Sequence, residues 1–199
     1  MLFNSPEFIF RFVPLTLLGF FVLARYGHSL ALAWLTLASL VFYGWWNPQW
    51  LPLILASIAF NFMAGRQIAA RLQRAASGAD VGLSSRAVLI GAIAVNIAAL
   101  VYFKYAAFLI NTGAALADST FRWQAGELPL GISFFTFTQI AFLVDVHLRK
   151  ATDFDPVRYG LFVTYYPHLI AGPILHHKEM MPQFARPDIF RFSADRLAD

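Results

Sequence analysis

A 37-residue stretch without a single charged side chain, residues 29–65, constrains the fold of this chain more than any other feature. It is nearly twice as long as the roughly 20 apolar residues that an α-helix needs to cross a bilayer. Near its middle, Asn47-Pro48 predicts a turn, and the tryptophans on both sides are typical of a membrane–water interface. We therefore predict two membrane-spanning helices, at 29–43 and 50–64, joined by a tight hairpin.

The remainder of the chain has the composition of a membrane protein. Of its 199 residues, 59% are hydrophobic and 13% are charged, whereas soluble domains are about 45–50% apolar and about 25% charged. Further apolar runs predict spans at 9–24, 87–103 and 128–144. The absence of cysteine excludes a disulfide framework and thiolate chemistry. We predict an all-α fold: a single membrane domain over 1–199, with transmembrane helices plus re-entrant and interfacial segments.

The distribution of charge predicts the orientation of these spans. Four arginines fall within residues 66–86, which we interpret as a cytoplasmic loop because positive charge concentrates on that side of a membrane. The N-terminus then lies outside. The net charge of +4 reflects this topology, and we expect no nucleic acid as a partner. The apolar run at 105–117 is too short to span upright, and we predict an interfacial helix on the outer surface.

One apolar segment, residues 159–175, contains its own helix breakers. Pro167 and Gly172-Pro173 interrupt it, and irregular backbone at membrane depth must be buried in protein or line a cavity. A crossing here would place the arginines that follow on the outside. We therefore favour a re-entrant segment that enters from the cytoplasm, with a true crossing as the alternative.

Three histidines in and after this segment are the first candidates for functional residues. His168 lies within the apolar run, and His176 and His177 follow it. Ionisable side chains at membrane depth are costly and often mark a pathway, so all three are candidates for lining a substrate path. His176 and His177 would equally suit an interfacial cap. Adjacent histidines cannot easily converge on one ion, and we predict no metal site.

Polar side chains in the span at 128–144 are the second group of candidates. Pro129 is predicted to lie in the first turn of the helix. Ser133, Thr136 and Gln139 recur every three residues and share a helix face, where they can hydrogen-bond to neighbouring helices. Gln139 could equally line a path. Asp145, at the cytoplasmic end, could line the path or pair with Arg149 one helical turn onward. We therefore add Gln139 and Asp145 to the candidate path-lining residues.

Three more polar residues interrupt the apolar runs. Asn61 and Asn96 lie in the middle of predicted spans, and we expect them to serve helix packing. Lys104 follows the fourth span, where its ammonium group can reach the interface.

Several motifs in the second half of the chain occur together in one known family. In order along the chain they are Phe103-Lys104-Tyr105, the run 129–139, Asp145-Val146-His147, the run 166–174 (YPHLIAGPI), and Met181-Pro182-Gln183-Phe184. With these motifs the chain resembles the membrane-bound O-acyltransferase family. It is most similar to the bacterial branch that serves alginate O-acetylation and D-alanyl transfer to teichoic acid.

The resemblance implies a fold of many helices around a tunnel, and an enzyme of the bacterial inner membrane. Such an enzyme would move an acyl group, here acetyl, from a cytoplasmic donor to a hydroxyl of an extracytoplasmic polysaccharide. Acetyl-CoA or an acyl carrier thioester would serve as substrate, with no tightly bound cofactor. The expected partners are the lipid bilayer and extracytoplasmic polysaccharide-modifying proteins.

The family's catalytic histidine is expected on a later helix, beyond Asp199. By this resemblance the chain is the N-terminal part of a longer protein, holds no catalytic residue and is inactive alone. Two other functions remain open from the sequence. Broken helices also occur in transporters and channels, and the chain could be a scaffold that recruits a transferase.

Overall fold

The computed structural model describes residues 3–78, 82–124 and 126–169, together with the isolated positions 180, 181, 183, 184 and 190. None of the described residues lies in a β-strand, which confirms the all-α prediction. The helices are α1 (Val13–Ala24, preceded without a break by a π-helical turn at Phe8–Phe12), α2 (His28–Trp46), α3 (Leu51–Ala76), α4 (Ser85–Leu116), α5 (Ile132–His147), α6 (Pro156–Thr164) and α7 (Tyr166–Leu169).

Three helical segments in the described part of the chain are long and apolar enough to cross a membrane. They are His28–Trp46, Pro48–Ala76 and Ser85–Leu116, and two shorter apolar helices cover Phe8–Ala24 and Ile132–His147. Each of the five predicted spans therefore corresponds to an apolar helix. Many of their large apolar side chains are exposed, as expected where lipid replaces water. The chain is a multi-pass membrane protein.

The predicted turn between α2 and α3 is present at Asn47-Pro48. Asn47 has an extended backbone, and its side-chain Oδ1 accepts a hydrogen bond from the Gln49 N–H at 3.1 Å. Pro48 then opens a single 3₁₀ turn, Pro48–Trp50, that leads into α3. An asparagine that caps the next turn, followed by a proline with φ already fixed, is enough to reverse the chain here.

The predicted cytoplasmic loop at 66–86 is mostly helical, which corrects that prediction. The helix α3 continues to Ala76, and only residues 77–84 connect it to α4. The arginines within α3 are Arg66, Arg71 and Arg74. Arginine is a strong helix former, so its charge marks the edge of the apolar zone and does not end the helix. The helix ends just before Gly78, whose φ of 74° is easily adopted by glycine.

The predicted interfacial helix at 105–117 is also wrong as a separate element. It is the last part of α4, a single helix of 32 residues that is about 48 Å long. No proline or glycine occurs between Gly91 and Gly113, so nothing breaks the helix where Lys104 interrupts the apolar run. With a hydrocarbon core of about 30 Å, α4 is long enough for its end to project beyond the bilayer.

The helices α3 and α4 are joined by a reciprocal pair of asparagine amides. Asn61 Nδ2 donates to Asn96 Oδ1 at 3.1 Å, and Asn96 Nδ2 donates to Asn61 Oδ1 at 2.7 Å. Each amide also donates to a carbonyl of its own helix, at Ser57 and Ala92. Both side chains are buried. The prediction that these residues serve helix packing is confirmed.

The start of α5 differs from the prediction by one turn. Pro129 lies before the helix, and its carbonyl accepts a hydrogen bond from the Ile132 N–H at 3.3 Å. Gly131 has a left-handed backbone with φ of 66°. A methyl group added to Gly131 would lie 2.9 Å from the carbonyl oxygen of Leu169 in α7. Glycine is therefore required here both by the backbone conformation and by the close approach of α7.

The segment predicted to be re-entrant begins with two short helices. Asp155 accepts a hydrogen bond from the Arg158 N–H at 2.9 Å and so caps α6. At nine residues, α6 is about 14 Å long and cannot cross a bilayer alone. The break falls at Tyr165, two residues before the predicted break at Pro167, and Gly172-Pro173 lies outside the described residues. Re-entry itself stays a prediction.

Candidate functional site

The structure brings together the two stretches that the sequence identified as informative. The left-handed turn at Gly131, which opens α5, packs against the backbone of Leu169 in α7. About two helical turns further along the chain, Gln139 of α5 accepts a hydrogen bond from Tyr159 of α6. These two contacts define an interface between residues 129–139 and 159–169 in the interior of the bundle.

Gln139 makes the side-chain hydrogen bond of this interface. It is fully buried, its Nε2 donates to Ser57 Oγ at 2.8 Å, and its Oε1 accepts from the Tyr159 hydroxyl at 3.2 Å. The side chain therefore ties α5 to both α3 and α6. These bonds support a packing role for Gln139. Thr136 and Ser133 also contribute to packing. Thr136 is buried, and Ser133 accepts a hydrogen bond from Lys104 Nζ of α4 at 3.2 Å.

Of the other candidate residues, the structure describes Asp145 and the backbone of His168. Asp145 is nearly buried in the last turn of α5, and its backbone carbonyl accepts the N–H groups of Lys150 and Ala151. His168 is in α7, although its side chain is outside the described part of the structure. His176 and His177 lie wholly outside the described residues. A path-lining role for these residues and for Gln139 stays a prediction.

Two cavities lie at opposite ends of α3, and the sequence predicted neither of them. The arginine cavity has a volume of about 440 Å³ and lies between the end of α3 and the chain that follows α5. Its walls include Leu72, Gln73, Val146, Arg149, Thr152 and Phe154. Arg149 has a left-handed backbone with φ of 58°, and its guanidinium lies 3.5 Å from the Leu72 carbonyl. This cavity offers an apolar wall and a cation.

The aromatic cavity, of about 200 Å³, lies beside the start of α3. Its walls include Trp50, Tyr102, Phe103, Trp123, Gln124 and Glu127. These residues come from three separate parts of the chain, so no local pattern could have predicted the cavity. The one local signal was Trp50, which sequence analysis assigned to the interface. Among the described residues no group of three acidic or histidine side chains could hold a metal ion.

The chain is similar to several curated bacterial proteins. It is 38% identical to a peptidoglycan O-acetyltransferase of Helicobacter pylori over 92% of this chain and 38% of that protein. It is 36% identical to a probable alginate O-acetylase, AlgI, of Azotobacter vinelandii, over 92% of this chain and 36% of that protein. The AlgI of Pseudomonas aeruginosa is 34% identical, over 92% of this chain and 34% of its own length.

The chain thus spans little more than a third of the length of these relatives. No family model matches it. No solved structure matches it.

Proposed function

We infer that this chain, a homologue of O-acetyltransferases in the membrane-bound O-acyltransferase family, is part of an enzyme that transfers acetyl groups to polysaccharide hydroxyls. The observation that carries this inference is the identity of 34% to 38%, over 92% of the chain, to proteins named for O-acetylation. It agrees with the family motifs and with the apolar helices of a multi-pass membrane protein. Because the relatives are much longer than this chain, we assign the activity to the full-length protein.

The acetyl donor is proposed to be a cytoplasmic thioester, either acetyl-CoA or an acyl carrier thioester, that reaches the arginine cavity. In the overall reaction the thioester C–S bond breaks, an ester C–O bond forms at the acceptor hydroxyl, and the hydroxyl proton passes to the thiolate that leaves. The Arg149 guanidinium can pair with a phosphate of the donor. The apolar wall around Leu72 and Phe154 suits the uncharged arm that carries the thioester. The side chains predicted to line the acyl path would then lie between donor and acceptor. They are Gln139, Asp145, His168, His176 and His177.

The proposed location is the bacterial inner membrane, with the N-terminus outside and the 77–84 connection in the cytoplasm. This orientation follows from the arginines at the end of α3. It places the arginine cavity on the cytoplasmic side and the aromatic cavity on the outer side. Extracytoplasmic polysaccharide-modifying proteins are the expected partners on the outer side.

Single-cysteine labelling tests this orientation. The chain has no cysteine, and Leu83 and Leu116 are well exposed on opposite sides of the proposed membrane, at 59% and 84%. In a full-length protein whose only cysteine is the introduced one, Leu116→Cys should react with an impermeant maleimide in intact cells. Leu83→Cys should react only after permeabilisation, and the reverse pattern would overturn the topology. Ala185→Cys tests re-entry: labelling from outside would mean that 159–175 crosses.

The activity is tested by deleting the gene for the full-length protein and measuring the acetate that mild base releases from envelope polysaccharides. Loss of acetate, restored by the wild-type gene, is the expected result. Arg149→Gln should restore less acetate, and Arg86→Ala, which removes a cation away from the arginine cavity, should restore it fully. Unchanged acetate in the deletion strain would refute the proposal. If purified full-length protein transfers no acetyl group from acetyl-CoA or from an acetyl carrier protein, a scaffold explains the phenotype better.

A further inference from the structure

No residue of α5, α6 or α7 lines the aromatic cavity, and the proposed reaction gives it no role so far. Its rings belong to Trp50, at the start of α3, to Tyr102 and Phe103 of α4, and to Trp123 in the chain after α4. Gln124 and Glu127 supply the polar wall. The aromatic faces make part of the cavity apolar. The carboxylate and the amide beside them can form hydrogen bonds with the same ligand.

The position of Trp123 is fixed by the projecting end of α4. Asn111 Oδ1 accepts a hydrogen bond from the Trp123 N–H at 2.7 Å, and Asn111 Nδ2 donates to the Trp123 carbonyl at 3.0 Å. One side-chain amide thus satisfies both backbone groups of Trp123. Elsewhere in the lining, Trp50 packs edge-to-face on Phe103 with ring centroids 5.6 Å apart. These contacts fix the positions of two parts of the aromatic lining.

Glu127 is held in the same way by the turn between α2 and α3. Its Oε2 accepts from Asn47 Nδ2 at 2.7 Å and lies 3.5 Å from Gln49 Nε2. Both bonds end on one oxygen, and within the described residues no donor bonds to Oε1. A carboxylate oxygen in the wall of a cavity is a strong acceptor for ligand hydroxyls.

We propose that the aromatic cavity is a subsite for one neutral pyranose ring of the acceptor polysaccharide. The C–H faces of a sugar ring pack on the electron-rich faces of aromatic rings, and its hydroxyls donate to Glu127 and accept from Gln124. This inference rests on the proposed function, because it takes the cavity to face the acceptor side of the membrane.

The negative charge of Glu127 determines which sugars and which lipid headgroups can bind in the cavity. An anionic headgroup or a uronic acid would bring a second negative charge to Glu127, which is unfavourable at short range. A neutral, hydroxyl-rich ring has no such cost. A zwitterionic lipid headgroup is the competing occupant, because its ammonium group would pair with Glu127 and lie over the aromatic rings.

Binding can be measured without any acetyl transfer. We would titrate purified full-length protein in detergent with chitotetraose that is fully N-acetylated, and with a mannuronic acid tetramer, by isothermal titration calorimetry. Chitotetraose should bind about tenfold more tightly than the uronate. Trp123→Ala should weaken chitotetraose binding by about tenfold, and Asn111→Ala should weaken it by freeing Trp123. Trp45→Ala is the matched control, because Trp45 is 62% exposed at the same end of the molecule and does not line the cavity.

Glu127→Gln distinguishes a sugar from a lipid headgroup as the occupant of the cavity. It keeps an acceptor oxygen for Asn47, so the neutral sugar should still bind and the uronate should bind better than to the wild type. Three results would each overturn the subsite. They are no binding of chitotetraose to the wild type, equal losses of affinity in Trp123→Ala and Trp45→Ala, and displacement of chitotetraose by short-chain phosphatidylethanolamine. Trp123→Phe, which keeps a ring, should retain part of the affinity and controls for misfolding. Acetate measurements test the proposed function separately, since acetylation that depends on the protein would stand even without sugar binding.

Discussion

Replacing Asn61 with leucine tests whether the amide pair with Asn96 holds α3 and α4 together. Leucine has the same branching as asparagine, so the change removes the hydrogen bonds with little change in shape. Two bonds between the helices are lost, at 3.1 and 2.7 Å. Hydrogen bonds between transmembrane helices average about 0.6 kcal/mol each, with a maximum of about 1.7 kcal/mol. The two bonds together are therefore worth about 1.2 kcal/mol.

The cost of the single substitution should exceed that sum, because Asn96 stays behind. Its Oδ1 loses its donor, and its Nδ2 keeps only the bond to the Ala92 carbonyl. A buried polar group left unsatisfied costs about 1–3 kcal/mol, so we expect about 2 kcal/mol for Asn61→Leu and a similar loss for Asn96→Leu. Removing both amides leaves no orphaned group. The double variant should therefore lose far less than the sum of the two single losses.

The assay is reversible unfolding of the full-length protein in mixed micelles with increasing mole fraction of dodecyl sulfate, for the wild type and the three variants. The double-mutant cycle should give a coupling energy of at least about 1 kcal/mol. Ser133→Ala, combined with Asn61→Leu, is a control pair that should be additive, because Ser133 bonds to Lys104. Additive effects of Asn61→Leu and Asn96→Leu would refute the amide pair.

Three further substitutions test other parts of the fold. Gly131→Ala should strongly lower the melting temperature of the full-length protein. A left-handed backbone costs about 1–2 kcal/mol with a side chain, and the new methyl group would lie 2.9 Å from the Leu169 carbonyl oxygen. Gly91→Ala is the control: the space around Gly91 is open, so this change should be neutral or stabilising by up to about 1 kcal/mol. Gln139→Leu should lower the free energy of unfolding by about 1–2 kcal/mol. If Gln139 has only a packing role, the acetate released per folded molecule should not change. A loss of acetate release per folded molecule would place Gln139 on the acyl path. Asp155→Ala should cost about 1 kcal/mol through the lost cap of α6, and no change in thermal unfolding would contradict that cap.

The sequence predicted the five apolar spans and the turn at Asn47 because those features are local. An uncharged run of sufficient length specifies a span, and an asparagine followed by proline specifies a reversal. It failed where polarity was taken to end a helix. Arg71 and Lys104 both lie inside long helices, because their side chains favour helix and can extend to water or headgroups.

The candidate site was predictable only in part, for a related reason. Gln139 stood out as a polar side chain in an aromatic span, and it is indeed buried between helices. Its partners Ser57 and Tyr159 are 82 and 20 residues away in the chain, and nothing in the local sequence indicates such pairs. Asn111 was likewise not singled out, although its two bonds to the Trp123 backbone are what position one wall of the aromatic cavity.

The length of α3 has a kinetic consequence for the proposed reaction. Trp50 lines one cavity and Leu72 the other, and 22 residues of helix separate them by about 33 Å. A donor in the arginine cavity and a sugar in the aromatic cavity would therefore occupy the protein at the same time, with the proposed acyl path between the two cavities. Saturating desulfo-CoA should leave the affinity for chitotetraose unchanged, and each compound should inhibit transfer without competing with the other substrate.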